Sequence, residues 1–178
     1  LVLISELINF WISSERFIEV DWFNLSSSIF ALTILHDVGY AKMPKGYNPY
    51  DLKIRKLHAK KSAEIAKIIL KKADFQKTKI KKTLRLIEHH DDWAFNKPLK
   101  DPEWRVFTDI DFAWEASKKG FDIVRKFLNQ NRKEFLNTVK QDYKNKQKTH
   151  PFFLNKSKRL FLQDFNYWKK KLSNWFYV

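Results

Sequence analysis

Apolar side chains recur every three or four positions along most of the chain, the spacing of a helix with one buried face. Leu3, Leu7, Ile8, Trp11 and Ile12 set this rhythm over residues 1 to 19. Asn24 to Ser28 is rich in capping residues and predicts a second helix running to about Asp37. Residues 39 to 50, "GYAKMPKGYNPY", hold two glycines and two prolines and read as a loop. Asp51 is placed to cap a long helix to about Ala73, with Leu52, Ala59, Ala63, Ala66 and Leu70 as its apolar stripe. A further helix is expected over 76–90, carrying Ile80, Leu84 and Ile87 on one side. "NKPLKDPEW" breaks the pattern, and Asp101-Pro102 supplies an N-cap and first-turn pair for a helix bearing Val106, Ile110, Ala113 and Trp114. Gly120 is expected to end it. Helical segments near 121–129 and 131–145 follow, then the connector "QKTHP". A last helix over 155–176 places Phe161, Phe165, Trp168, Leu172 and Trp175 on one face. No alternating strand pattern of useful length and no repeat interrupts this. The expected class is all-α, one helical bundle in a single domain.

Composition narrows the picture. The chain has 178 residues, 44% of them apolar and 16% aromatic, enough for one domain with a sizeable core. It has no cysteine, which removes disulfides and thiolate metal sites and is compatible with a reducing compartment, so a cytoplasmic location is expected. No run of 18 apolar residues occurs, and the opening "LVLISELINFW" lacks the basic start and small-residue cleavage site of a signal peptide. No membrane partner is therefore expected. The lysine-flanked aromatic stripe at the C-terminus could serve a membrane surface or a partner, but packing on its own domain is the commoner fate of such a stripe. The net charge is +15. That favours anionic partners, although no basic block exceeds three residues, so a solvated lysine-rich surface is preferred to a dedicated nucleic-acid face.

The candidate chemistry lies in the histidines. Of five, four fall in a series with acids: His36-Asp37, His58, His89-His90, then Asp109 and Asp111. Facing helices of a bundle can bring such side chains to one interior point. Imidazole and carboxylate together suit zinc, iron, manganese and related ions. One carboxylate can bridge two cations, and water bound between them becomes a nucleophile at neutral pH. Each residue also has a plainer reading. His36-Asp37 could be a helix end with a capping acid, His58 a surface residue on a lysine-rich helix, and one of His89 and His90 a bystander about 100° away around the helix. His90, one turn from Ile87, is slightly preferred. Asp111 lies among Ile110, Phe112 and Ala113, where a carboxylate is costly unless paired or bound to metal. His150, before Pro151, is expected to take no part.

"ALTILHDVGY", with "HAKKSAEIAKIIL", "LIEHHDDW" and "FTDIDFAW" after it in that order, resembles the motif series of the HD-domain metal-dependent phosphohydrolases. The resemblance covers residues 1 to 120, a motif-bearing core on which the helices of 121–178 would pack. It implies an all-α fold and one or two divalent ions drawn from Mn, Fe, Zn, Mg, Ni and Co. His36 and Asp37 would be ligands, Asp37 bridging and catalytically essential. His58 would bind a second metal, His89 or His90 or both would join it, and Asp111 would complete the first. Asp109 would be an outer or helix-surface acid, and Asp91 or Asp92 could orient a ligand histidine. The family's leading ligand histidine has no counterpart among residues 1 to 35, and its register falls just before Leu1. The family often has a lysine after the signature glycine, where this chain has Tyr40, with Lys42 two residues on.

The substrate the resemblance implies is a nucleotide or another small phosphorylated metabolite. Lys42, Lys45, Arg55 and Lys61 are candidates to hold its phosphate, against an ordinary role as solvated charge. Three alternatives remain open. They are a di-iron oxygenase on the same scaffold, a degenerate regulatory module that binds nucleotide without turnover, and a charge-driven nucleic-acid binder with steep salt dependence.

Overall fold

A computed structural model describes residues 27–173. Among them every regular element is a helix, and no strand occurs. The expected helix over 1–19, the start of the capping run at Asn24, and Trp175 lie outside the described residues. The chain divides into two compact units, Leu1–Lys97 and Pro98–Val178.

In the first unit, α1 (Ser27–Leu35) is apolar on nearly every side and buries Ile29, Ala31, Leu32 and Leu35. It stops two residues before Asp37. His36 follows, and a short 3-10 helix, Val38–Lys42, then takes up the first part of the expected loop. The His-Asp pair therefore sits at a junction where the backbone changes course. Asp51 caps α2 (Leu52–Lys72) as expected, its side chain accepting hydrogen bonds from the Lys53 and Ile54 amides. α2 buries His58, Ala59, Ser62, Ala66 and Leu70 on one face, at helical spacing. Leu52, counted in that stripe from the sequence, is exposed. α3 (Lys77–Glu88) packs on both α1 and α2 and buries Ile80, Thr83, Leu86 and Ile87. A second 3-10 helix, Asp92–Phe95, follows it.

In the second unit, Asp101 caps α4 (Pro102–Ala116), with Pro102 in its first turn, as the sequence suggests. α4 does not run to Gly120. It ends at Ala116, and Ser117 becomes the N-cap of α5 (Lys118–Phe127), its hydroxyl accepting from the Gly120 amide. Gly120 lies inside α5 because a Cβ there would run into the Trp114 carbonyl oxygen. It is small for closeness, not for turning. α6 (Arg132–Thr149) opens with a reciprocal Asn131–Glu134 capping box and continues four residues past its expected end. α7 (Asn155–Ser173) buries Phe161, Phe165, Trp168 and Leu172. The first three pack with Phe112, Phe121, Phe135 and Val139 in the core of this unit, so the aromatic stripe is core. Trp168 stacks on Phe121 at 4.2 Å and donates its indole N–H to the Ala116 carbonyl. No helix among the described residues is long and apolar enough to cross a membrane.

Candidate metal centre

The first unit brings three sequence-distant donors together. Asp37 comes from the junction after α1, His58 from the second turn of α2, and His90 from just beyond α3. His58 Nε2 lies 3.1 Å from His90 Nε2. Asp37 Oδ1 lies 3.3 Å from His58 Nε2 and 3.4 Å from His90 Nε2. A transition-metal ion with bonds of about 2.1 Å, at tetrahedral or octahedral angles, needs donors spaced by about 3.0–3.5 Å. All three edges fall in that range, so Asp37, His58 and His90 could hold a metal ion.

Proton placement agrees with this use. His90 Nδ1 lies 2.6 Å from the Ile87 carbonyl oxygen, which can only accept, so Nδ1 carries a hydrogen and Nε2 is the ring nitrogen left for the cluster, an N–H donor to Asp37 when the ring is charged and a lone pair when a cation takes that place. His36 repeats the pattern, with Nδ1 3.0 Å from the Thr33 carbonyl oxygen and Nε2 3.4 Å from Asp37 Oδ2. A backbone carbonyl that fixes the tautomer is the usual support of a ligating histidine. The 3.1 Å contact between the two Nε2 atoms needs one hydrogen, which His58, whose buried Nδ1 makes no hydrogen bond, or a charged His90 supplies. A bound cation would take the place of that hydrogen.

The electrostatics follow from the same contacts. Burial alone would push the Asp37 carboxyl up. The His36 charge and hydrogen bonds from His36, His58 and His90 outweigh it and hold the group well below the ordinary carboxylate range. Burial pulls His90 down, while Asp91 and Asp37 push it up against the opposing His36 charge, and the net shift is upward. Tyr40 is raised by burial and by the Asp37 and Asp91 charges, so its hydroxyl keeps its proton at neutral pH.

Local packing sets the spacing. Gly39 in the 3-10 turn lies so close to α2 that its N–H donates to Ser62 Oγ at 2.8 Å. A Cβ on Gly39 would sit 2.6 Å from the Ser62 nitrogen and closer still to the His58 carbonyl oxygen. The glycine therefore brings Asp37 and His58 within reach of one cation. Tyr40, the next residue, stacks on the His58 ring at 4.0 Å with 8° between planes, and Tyr47 stacks on Tyr40 at 5.5 Å. Ser62 does not stand out in the sequence as part of a site, and Gly39 stands out only as the signature glycine of the His-Asp motif, with nothing local to show that it meets α2.

The remaining expected site residues divide as follows. His36 is buried and touches the cluster through Asp37. His89 points elsewhere, its Nδ1 2.8 Å from Asp92 Oδ2, with its side chain 40% exposed. Asp92 thus orients His89 rather than a member of the cluster. Asp91 faces His58 and His90 on their Nε2 side, at 3.8 and 4.0 Å, and not through their other ring nitrogens. Arg55 holds Asp91 Oδ1 at 3.1 Å and lies over the rings of Trp93 and Tyr50. Lys61 pairs with Glu64 at 2.7 Å along α2, and Lys42 and Lys45 are exposed.

Asp111 belongs to α4 in the second unit and is half-buried. The acid buried there is Asp109, expected from the sequence to be an outer or surface acid. It is 1% exposed and pairs with the equally buried Lys146 at 2.9 Å. Its other oxygen accepts from the Phe153 and Leu154 amides at 2.6 and 2.7 Å, which anchors the start of α7. The argument from burial cost therefore applies to Asp109, and the charge that answers it is a lysine. His150, expected to be uninvolved, lies beside Thr149 and Trp104 in the second unit.

No protein-family model matches the chain, and comparisons with curated proteins and with solved structures give no match either.

Proposed function

We propose that the chain is a metal-dependent phosphohydrolase of the HD type, cleaving a phosphate ester of a nucleotide or another small phosphorylated metabolite. The observation that carries this reading is the meeting of Asp37, His58 and His90 with donor spacings of 3.1–3.4 Å, in motif order. Two imidazoles and a carboxylate are the donor set of Zn, Mn, Fe, Co or Ni rather than of Mg or Ca. When bound, such an ion supplies Lewis acidity and an acidified water.

The chain's own groups do the rest. Asp37 is deprotonated across the neutral range and ready to bind. His36 steadies its second oxygen. Arg55 is the cation beside the centre best placed to meet a phosphoryl oxygen, since a guanidinium matches that geometry. Tyr40, protonated and packed on His58, offers a hydroxyl donor at the rim.

The test is metal analysis of the purified protein, followed by phosphatase and phosphodiesterase screens with Mn(II). Turnover that Asp37→Asn abolishes while circular dichroism is unchanged supports the proposal. Full activity in that variant removes Asp37 from the mechanism. Dioxygen uptake with Fe(II), and no phosphate release, would replace hydrolysis by oxygenation on the same donors.

A further inference from the structure

Asp91 occupies the N-cap of the 3-10 helix Asp92–Phe95, yet its side chain caps nothing there. It turns inward instead and is 12% exposed. Oδ1 takes the Arg55 hydrogen bond at 3.1 Å, and Oδ2 faces His58 Nε2 at 3.8 Å and His90 Nε2 at 4.0 Å. Asp37 Oδ1 faces the same two nitrogens at 3.3 and 3.4 Å. Two carboxylates therefore address one pair of imidazoles. Donors on a single octahedral ion with bonds of about 2.1 Å stand about 3.0 Å apart when adjacent and about 4.2 Å when opposite. At 3.8 and 4.0 Å Asp91 Oδ2 stands beyond the adjacent spacing from both histidines, so it must close on them by about 0.8–1.0 Å to share the ion.

We infer that Asp91 is a further ligand of the cation held by His58 and His90, with Arg55 aligning its carboxylate. The inference rests on the metal-centre part of the function proposed above, not on the reaction. Charge supports it. The buried Asp91 carboxylate needs compensation, and together with the half-buried Asp37 it balances a divalent ion while Arg55 offsets the residual field. The seating of Arg55 supports it too. The guanidinium lies 5.2 Å from the Trp93 ring centre and 5.8 Å from that of Tyr50, contacts that limit its swing and hold Oδ1 while leaving Oδ2 toward the histidines. The neighbouring Asp92 spends its carboxylate on His89, so the adjacent acids have separate duties.

The experiment is a Co(II) titration of the metal-free full chain, followed by calorimetry and by visible absorption, with no substrate present. Asp91→Asn should weaken Co(II) by roughly a hundredfold or more and change the intensity of the visible band, because a ligand is lost. Asp91→Glu should recover part of both. Arg55→Gln keeps the carboxylate but loses its alignment, and should weaken Co(II) by roughly tenfold, clearly less than Asp91→Asn. An unchanged cobalt spectrum in Asp91→Asn overturns the inference. So does equal weakening by Asp91→Asn and Arg55→Gln, which would mean that Asp91 serves only to seat the arginine. A wild-type chain that takes up no Co(II) overturns the inference and the metal centre together. Cobalt loss in Asp91→Asn alongside a failed phosphatase screen leaves the inference standing and removes only the hydrolase.

Discussion

Gly39→Ala places one methyl group where the structure has least room. The new Cβ would sit 2.6 Å from the Ser62 nitrogen, against the 3.4 Å at which ordinary contact begins. The 3-10 turn and α2 must then part by about 0.8 Å or more, since the opposing atoms are backbone and cannot rotate away. Overpacking of this kind costs about 1–3 kcal/mol. Stretching the Gly39–Ser62 hydrogen bond adds about 1 kcal/mol. The total, about 2–4 kcal/mol, corresponds to a fall in melting temperature of roughly 5–15 °C for a chain of this size. The same displacement carries His58 away from Asp37, so metal affinity should fall at least tenfold. Ser62→Ala removes the hydrogen bond without the methyl, and should cost only the smaller part with a minor effect on metal. Thermal unfolding of the metal-free proteins and a Zn(II) or Co(II) titration measure the two quantities separately. A Gly39→Ala protein with wild-type stability and affinity would show that this contact does not set the ligand spacing.

Three further outcomes follow from the packing. His90→Ala should lose metal affinity, whereas His89→Ala should bind within a few-fold of the wild type, because His89 is turned toward Asp92; one cobalt titration compares them. Asp109→Ala should cost about 3–5 kcal/mol in urea unfolding by stranding Lys146 and uncapping α7, and Lys146→Met should cost less, because Asp109 keeps its two amide bonds. His150 is pulled down to about 4 by burial and then by the Lys146 charge. The unfolded chain, with an imidazole near about 6.5, therefore binds the extra proton first as pH falls. This should remove stability of order 1–3 kcal/mol between pH 7 and pH 4. His150→Gln should show a shallower decline in a pH series of melting curves, and identical slopes would count against the assignment.

How much was legible in the sequence depended on whether the deciding interaction was local. Asp51 and Asp101-Pro102 mark helix starts because a cap acts on amides two or three residues away. The α7 stripe could be read for the same reason, as a face defined by spacing along one helix. The choice between His89 and His90 could not be settled that way. The chain leaves helical geometry at His89, so the angular rule that relates neighbours on a helix stops applying there. The burial of Asp109 has no local sign, because its partner, Lys146, lies on another helix and leaves no mark near the acid. Gly120 reads as a terminator in the sequence because glycine more often ends helices than relieves crowding inside them. The centre itself was suggested by residue types in order, but its spacing depends on Gly39 meeting α2, a tertiary contact with no local signature.

That contact also bears on which ions the centre accepts. With the turn seated directly on the helix backbone, the chain segments that carry Asp37 and His58 cannot draw apart without unpacking the unit. The fit of a glycine against a helix thus sets how closely the donors start, and their softness, one carboxylate with two imidazoles, is left to choose among the cations that fit.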